Sequence, residues 1–325
     1  MSEKPTESAF AFLQNLVLGG TSGVIAKTAC APLERVKILL QVQHASTSGV
    51  KYNGFIDALV RVPKEQGFAA LWRGNLANCL RYFPTQAMNF AFKEKYQSMF
   101  VRPREEVGFA KYFAGYLAAG GAAGATSLTV SYPLEFAFTR LAADTGSSHG
   151  HGGAAGAAAK RQYNGIIDCL AKIVKSDGIR GIYRGYGPSV AGIVVYRAGY
   201  FGLYDFTKAY VLPKFNIGQG KDAHSAKTLF TKLCLAFSID VFSALCAYPL
   251  DTVRRSMMMM SGRQEKLYTN SFQCFRHIVK NDGFAALYKG AFTNSVRAFG
   301  SALVLILYDE LSYLWLGNKA AASKH

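Results

Sequence analysis

PLERVK (residues 32–37), PLEFAF (133–138) and PLDTVR (249–254) are three versions of one short pattern. Each opens on proline and places an acid two residues later. The first and third add a base three residues after the acid. The prolines stand 101 and 116 residues apart. Recurrence at that interval marks a threefold internal repeat, and a repeat constrains architecture before any single element is assigned.

A second element follows each proline: QGFAALWRG (66–74), DGIRGIYRG (177–185) and DGFAALYKG (282–290). Between the two lie YNGFIDALVRV (52–62), YNGIIDCLAKI (163–173) and YTNSFQCFRHI (268–278), each with apolar residues at helical spacing. One unit therefore reads as a long helix, a loop, a short amphipathic helix and a second long helix. Three units predict six long helices, at about 10–42, 75–101, 111–143, 183–211, 226–260 and 288–316. The corresponding division is a tail at 1–9, repeats at 10–110, 111–222 and 223–318, and a tail at 319–325. The extra length of the second repeat falls in a Gly/Ala/Ser/His-rich stretch, 144–160, expected to be a flexible loop. Its His149 and His151 have no further ligand nearby, so no metal site is expected.

Composition points to a membrane. Half of the 325 residues are hydrophobic, and the formal net charge is +17. Such a balance favours anionic partners. The cations flank or interrupt apolar segments instead of clustering on polar ones, which argues against a nucleic-acid binder. Tyr112 to Leu134 and residues 8–26 are free of charge, the first long enough to span a bilayer. Later segments are interrupted by Arg197, Asp240 and Arg297. Ionisable groups at that depth must face protein or a watery interior. The expected fold is an all-α membrane protein with a polar core, both chain ends on one side. The first nine residues resemble neither a signal peptide nor an Arg-rich transit peptide. Six cysteines lack CxxC spacing and read as reduced, mostly buried thiols. No nucleophile–base set and no GxxxxGK[ST] loop is present, so an enzyme is not expected, nor a cofactor.

A proline within a long helix removes one backbone hydrogen bond and bends it. The acid and base that follow share a helix face. They form either three local ion pairs or a ring in which each base bridges to a neighbouring helix's acid.

The chain resembles the mitochondrial carrier family through P-x-[DE]-x-x-[KR] at 32–37 and 249–254 and its variant PLEFAF at 133–138, each followed by [DEQ]-G-x-x-x-x-[WYF]-[KR]-G. Within that family, RGNLANCLRYFPTQAMNFAFK (73–93), AGGAAGATSL (119–128) and RRSMMM (254–259) are similar to the ADP/ATP carrier branch. The resemblance implies six transmembrane helices around a central cavity, with short matrix-side helices, in the mitochondrial inner membrane. It implies ADP/ATP exchange by alternating access in a functional monomer, with both termini towards the intermembrane space. The implied nucleotide site is Lys27, Arg81, Asn89, Gly192, Ile193, Tyr196, Ser238, Arg255 and Arg297. Lysine and arginine suit a phosphate chain in a low-dielectric cavity, and Tyr196 beside Gly192 and Ile193 suits a flat base. The implied matrix gate is Glu34, Lys37, Gln41, Glu135, Asp251 and Arg254. The cytoplasmic gate is Glu94, Asp205, Lys208 and Asp309. Cardiolipin is implied at helix N-termini marked by Gly54, Gly74, Gly165, Gly185 and Gly290, since such termini bind phosphate.

Six positions depart from the family pattern. Phe138 replaces the gate base of the second repeat, so one carboxylate, Glu34, is expected to lack a bridge. Gln97 and Ser312 replace bases of the cytoplasmic gate. Ser256 replaces the third arginine of the signature. Asp240 stands where ADP/ATP carriers have a neutral residue, eleven residues before Asp251 and so on the same helix face. It is expected to weaken phosphate attraction, to pair with Arg255 or Arg297, or, protonated or bound to a neighbouring hydroxyl, only to pack. Asn270 replaces the glycine of the third short helix. These departures keep two alternatives open: a carrier of another anion, and a paralogue that does not transport. Arg197 reads as structural, and Met257 to Met260 as packing.

Overall fold

The computed structural model describes residues 5–45, 51–102, 104–145, 161–207, 226–263 and 265–296. His149, His151, Lys208, Arg297, Asp309 and Ser312 lie outside these. The described residues contain helices and turns, with no strand. Five long helices appear: α1 (Pro5–Val42), α3 (Asn75–Phe100), α4 (Arg104–Ala143), α6 (Tyr186–Phe206) and α7 (Ala226–Met259). Three short ones lie between them: α2 (Phe55–Gln66), α5 (Ile166–Asp177) and α8 (Ser271–Asp282). Residues 291–296 are helical and begin where the sixth long helix is expected. α1 starts at Pro5, inside the stretch expected as a tail, because proline is well suited to a first helical turn. α4 is interrupted at Gly108 (φ 75°) and otherwise runs to Ala143.

The shortest long helix has 21 residues, about 31 Å at 1.5 Å per residue, enough for a bilayer's hydrocarbon layer. One described stretch, Cys234–Met259, also has the apolar composition of a membrane span on its own. The long helices expose large apolar side chains, among them Ile25, Phe83, Val130, Phe237 and Phe242. Beside a mostly apolar core they also bury polar ones: Arg35, Gln41, Asn78, Ser127, Thr139 and Ser243. α1, α4 and α7 run on through Pro32, Pro133 and Pro249.

The chain forms two compact units. The first comprises residues 1–84, 133–172 and 289–325. Its core packs Val36, Leu39 and Leu40 of α1 against Ala58 and Val62 of α2 and Ala70 and Leu71 beyond it. Each fully buried valine or leucine contributes about 1.5–3 kcal/mol. Arg35, fully buried, bonds the Ala70 carbonyl, the Gln66 side chain (2.6 Å) and the carbonyls of Ala142 (3.2 Å) and Asp144 (3.3 Å). Asp144 Oδ2 accepts from the amides of Gln162 (3.0 Å) and Tyr163 (3.2 Å), clasping the two ends of the insert.

The second unit comprises residues 85–132 and 173–288, with α6 packed along α7. Asp177 accepts from the Gly262 amide (3.2 Å) and pairs with Lys266 (3.3 Å) and Arg184 (3.6 Å), tying the end of α5 to the turn after α7.

The short helices repeat one start. Asp57 and Asp168 carboxylates accept from the amides of Asn53 and Asn164, both at 2.9 Å. Gln273 Oε1 does the same for Thr269 at 3.1 Å. Each side chain at the third helical position thus satisfies an amide that the helix leaves over. Glycines 74, 185 and 290 close the second element with φ of 84°, 85° and 87°. A Cβ on Gly74 would sit 3.0 Å from the Phe138 carbonyl oxygen, and one on Gly185 would sit 2.5 Å from that of Arg254. Only glycine permits both the conformation and the close backbone approach.

Candidate functional site

In the first unit, Lys27 of α1 lies with Nζ 5.4 Å from the centre of the Tyr82 ring, a cation–π contact. Arg81 of α3 reaches Glu135 of α4 at 2.6 Å and donates to Asn78 Oδ1 at 3.0 Å. Asn78 Nδ2 donates in turn to Glu34 of α1 at 2.5 Å. The expected substrate cation and two expected gate acids therefore form one chain, Glu135–Arg81–Asn78–Glu34. Glu34 was expected to lack its bridging base, and the Asn78 amide is one of its partners. Asn78 was not singled out from the sequence. The available signal is its spacing, three residues before Arg81 and so on the same face. Lys37 donates to Asn294 at 2.9 Å, another neutral partner that was not foreseen. Gln41, four residues on, is fully buried. Phe138 is buried where a base was expected, an apolar plug against Gly74.

In the second unit, α7 carries Asp251, Arg254 and Arg255. Arg254 bonds Asp251 Oδ1 at 2.7 Å and Arg255 bonds Oδ2 at 3.4 Å. One carboxylate thus holds both the expected gate base and the expected substrate base, and Asp251–Arg254 is the local type of pair. Ser256 is fully buried. Its hydroxyl donates to the Thr252 carbonyl at 2.7 Å, and its own carbonyl accepts from Tyr268 at 3.3 Å. Met257 to Met260 are buried, as packing requires.

Gly192, Ile193 and Tyr196 lie on α6. Ile193 packs against Gly124, where a Cβ would come within 2.9 Å of it, and Gly192 lies near Leu250. Tyr196 donates its hydroxyl to Asp240 Oδ1. Its ring stacks on Tyr200 (6.1 Å), which stacks on Tyr204 (6.2 Å). Of the three roles open to Asp240, the hydroxyl partner is the one seen. No described cation is paired with it. Ser238 is exposed, and its hydroxyl turns back to the Cys234 carbonyl at 2.8 Å. Arg197 packs its side chain against Gly120, in keeping with a structural role. Asn89 lies on α3, Glu94 is exposed on the same helix, and Asp205 lies near the end of α6.

A third locus sits at the start of α2. A pocket of about 490 Å³ is lined by Lys51, Tyr52, Gly54, Lys289, Gly290 and Thr293, among others. Two lysines and a helix N-terminus suit an anion. The Thr293 hydroxyl is buried without a partner among the described residues. The Tyr52 hydroxyl is likewise unpartnered, and burial, then the nearby Glu65, raises its pKa, so it stays a donor. Gly165 opens α5 in the same way, with open space where a Cβ would stand. α8 differs. Asn270 caps it, and its side-chain oxygen accepts from the Gln273 amide at 2.8 Å, taking a donor that an anion would otherwise meet. None of the six cysteines is in a disulfide, and Cys30, Cys169 and Cys274 are buried while Cys234 and Cys246 are exposed. Among the described residues no cluster of metal-ligating side chains occurs.

The family model described as mitochondrial carrier protein matches residues 8–104, 109–215 and 225–319. The chain is 50% identical to ADP/ATP translocase 2 of Bos taurus over 312 residues, 94% of this chain and 98% of that protein. It is 49% identical to ADP/ATP translocase 3 of Homo sapiens over the same length. It is 48% identical to ADP/ATP translocase 4 of Bos taurus over 316 residues, 96% of this chain and 92% of that protein. With three matched repeats and three versions of one helical unit, the chain belongs to the mitochondrial carrier family.

Proposed function

We propose that the protein exchanges ADP for ATP across the mitochondrial inner membrane by alternating access, as a multi-pass monomer with both termini towards the intermembrane space. The likeness to ADP/ATP translocases along almost the whole chain carries this reading. The geometry supports it: Lys27, Arg81 and Arg255 are cations on helices with polar interiors, held by groups that a phosphate could replace. Gly192, Ile193 and Tyr196 offer an aromatic face with small neighbours for the base, and Asn89, Ser238 and Arg297 complete the set that the family likeness supplies. Glu34, Lys37, Gln41, Glu135, Asp251 and Arg254 act at the matrix gate. Glu94, Asp205, Lys208 and Asp309 act at the cytoplasmic one. Cardiolipin phosphates sit at Gly54 with Gly290 and at Gly165 with Gly74. The site at Gly185 is weakened, because Asn270 caps its own helix.

Purified protein in liposomes loaded with ADP should take up ATP. Arg81→Ala and Arg297→Ala should each lower that exchange by at least roughly 30-fold, the loss expected when a charge-assisted bond is truncated. Asp240 favours one second reading, a carrier that takes another anion, since its added carboxylate opposes phosphate. Exchange of phosphate or another nucleotide in place of ADP would establish that reading. Uptake of nothing would leave a protein without turnover.

A further inference from the structure

Asp240 is a departure that gains a definite partner. Its Oδ1 accepts the Tyr196 hydroxyl, and its other oxygen has no bond to any described residue. The residue is only partly buried, so that oxygen can meet a ligand. It belongs to the same compact unit as Gly192, Ile193 and Tyr196. Ser238, which the family likeness places in the nucleotide site, stands two residues earlier, about 200° around the helix at 100° per residue. Ser238 spends its hydroxyl on its own backbone. The group found beside the Tyr196 ring is thus a carboxylate, an acceptor with no donor to offer.

We propose that Asp240 is a specificity-determining residue, whose free carboxylate oxygen beside the Tyr196 ring accepts a hydrogen bond from the exocyclic amine of a purine and repels a keto oxygen at that place. This deepens the proposed function and rests on it. An aromatic face alone takes any base, since every base has a π-face. A fixed acceptor makes the choice: adenine offers N6–H₂ there, whereas hypoxanthine offers O6. Sites built to hydrogen-bond a substrate group reject analogues lacking it far more strongly than apolar pockets do. The carboxylate would also account for a chain that keeps an anion in a basin otherwise suited to phosphates. What it loses in general phosphate attraction it returns as discrimination between bases.

The test uses the full chain in liposomes loaded with ADP, comparing external ATP, ITP and N6,N6-dimethyl-ATP. The wild type should favour ATP over both by about 10-fold or more, the range of a hydrogen bond to a charged group. Asp240→Asn keeps the shape and an acceptor for Tyr196 but can turn an amide towards a keto oxygen. It should bring the ATP-to-ITP ratio down to about 3-fold or less. Asp240→Thr, which removes the carboxylate altogether, should do the same. A ratio unchanged in both variants overturns the proposal while leaving adenine-nucleotide exchange standing. Should neither variant fold, equal uptake of the three nucleotides by the wild type overturns it, and a strong preference for ATP upholds it. No uptake of ADP or ATP by the wild type would instead sink the proposed function itself.

Discussion

At the residue scale, the thiols show how burial sets chemistry. Cys169 of α5 and Cys274 of α8 are fully buried, and desolvation pushes each thiol up to about 12. The reactive thiolate is therefore scarce at any ordinary pH. Alkylation at pH 8 in mild detergent should modify exposed Cys234 and Cys246 first and leave Cys169 and Cys274 unlabelled until the protein unfolds. Mass spectrometry of the labelled peptides checks it. A raised folded pKa also fixes a sign. The unfolded thiols ionise above about 9, whereas the folded ones stay neutral, so stability should fall as pH rises from about 9 towards 12. Replacing both by serine should lessen that alkaline decline, leaving the part due to buried tyrosines such as Tyr52 and Tyr163, whose pKa values burial also raises. Residues also mark the limit of reading from sequence. Arg81 was legible as a candidate through the family likeness of the stretch 73–93. Asn78 was not, because a neutral amide carries no charge to be answered, and its value lies in bridging Arg81 and Glu34 in space.

At the element scale, the repeat did most to make the fold readable. The short helices and the glycine-ended turns recur three times in sequence, and the structure returns the same amide clasp at Asn53, Asn164 and Thr269. Helix ends were less legible: α1 begins five residues before its expected start, since polar residues near a proline fit a first turn as readily as a tail. Two glycines two residues apart make opposite predictions. Gly185→Ala would place a Cβ 2.5 Å from the Arg254 carbonyl at φ 85°. It should cost about 1–2 kcal/mol for the left-handed backbone and about 1–3 kcal/mol for the overlap. Gly187→Ala in α6 meets open space and should be neutral or stabilise by up to about 1 kcal/mol. Thermal unfolding in detergent compares the two. Asn270→Ala should lower stability by about 0.5–2 kcal/mol through loss of the cap of α8.

At the scale of the whole molecule, the proposed alternating access needs two mouths that close in turn, and the sequence keeps the family's gate motifs unequally at the two. Gln97, near the end of α3, and Ser312 stand where the family carries bases. Partly exposed ion pairs are worth about 0–1 kcal/mol each. Restoring lysine at both positions should slow opening towards the intermembrane space by about 3- to 10-fold, read as a fall in exchange rate with little change in apparent affinity. Unchanged turnover would show that closure there does not depend on such pairs.

Arg81 does not wait idle for cargo; it already grips Glu135, 2.6 Å away. Prising it loose is uphill unless an incoming polyanion offers a better match. On the proposed reading an unladen protein is latched, and the nucleotide is the key that lifts the latch. Such an arrangement would make one-for-one barter the rule and leave little room for leakage, whichever way the gradient runs.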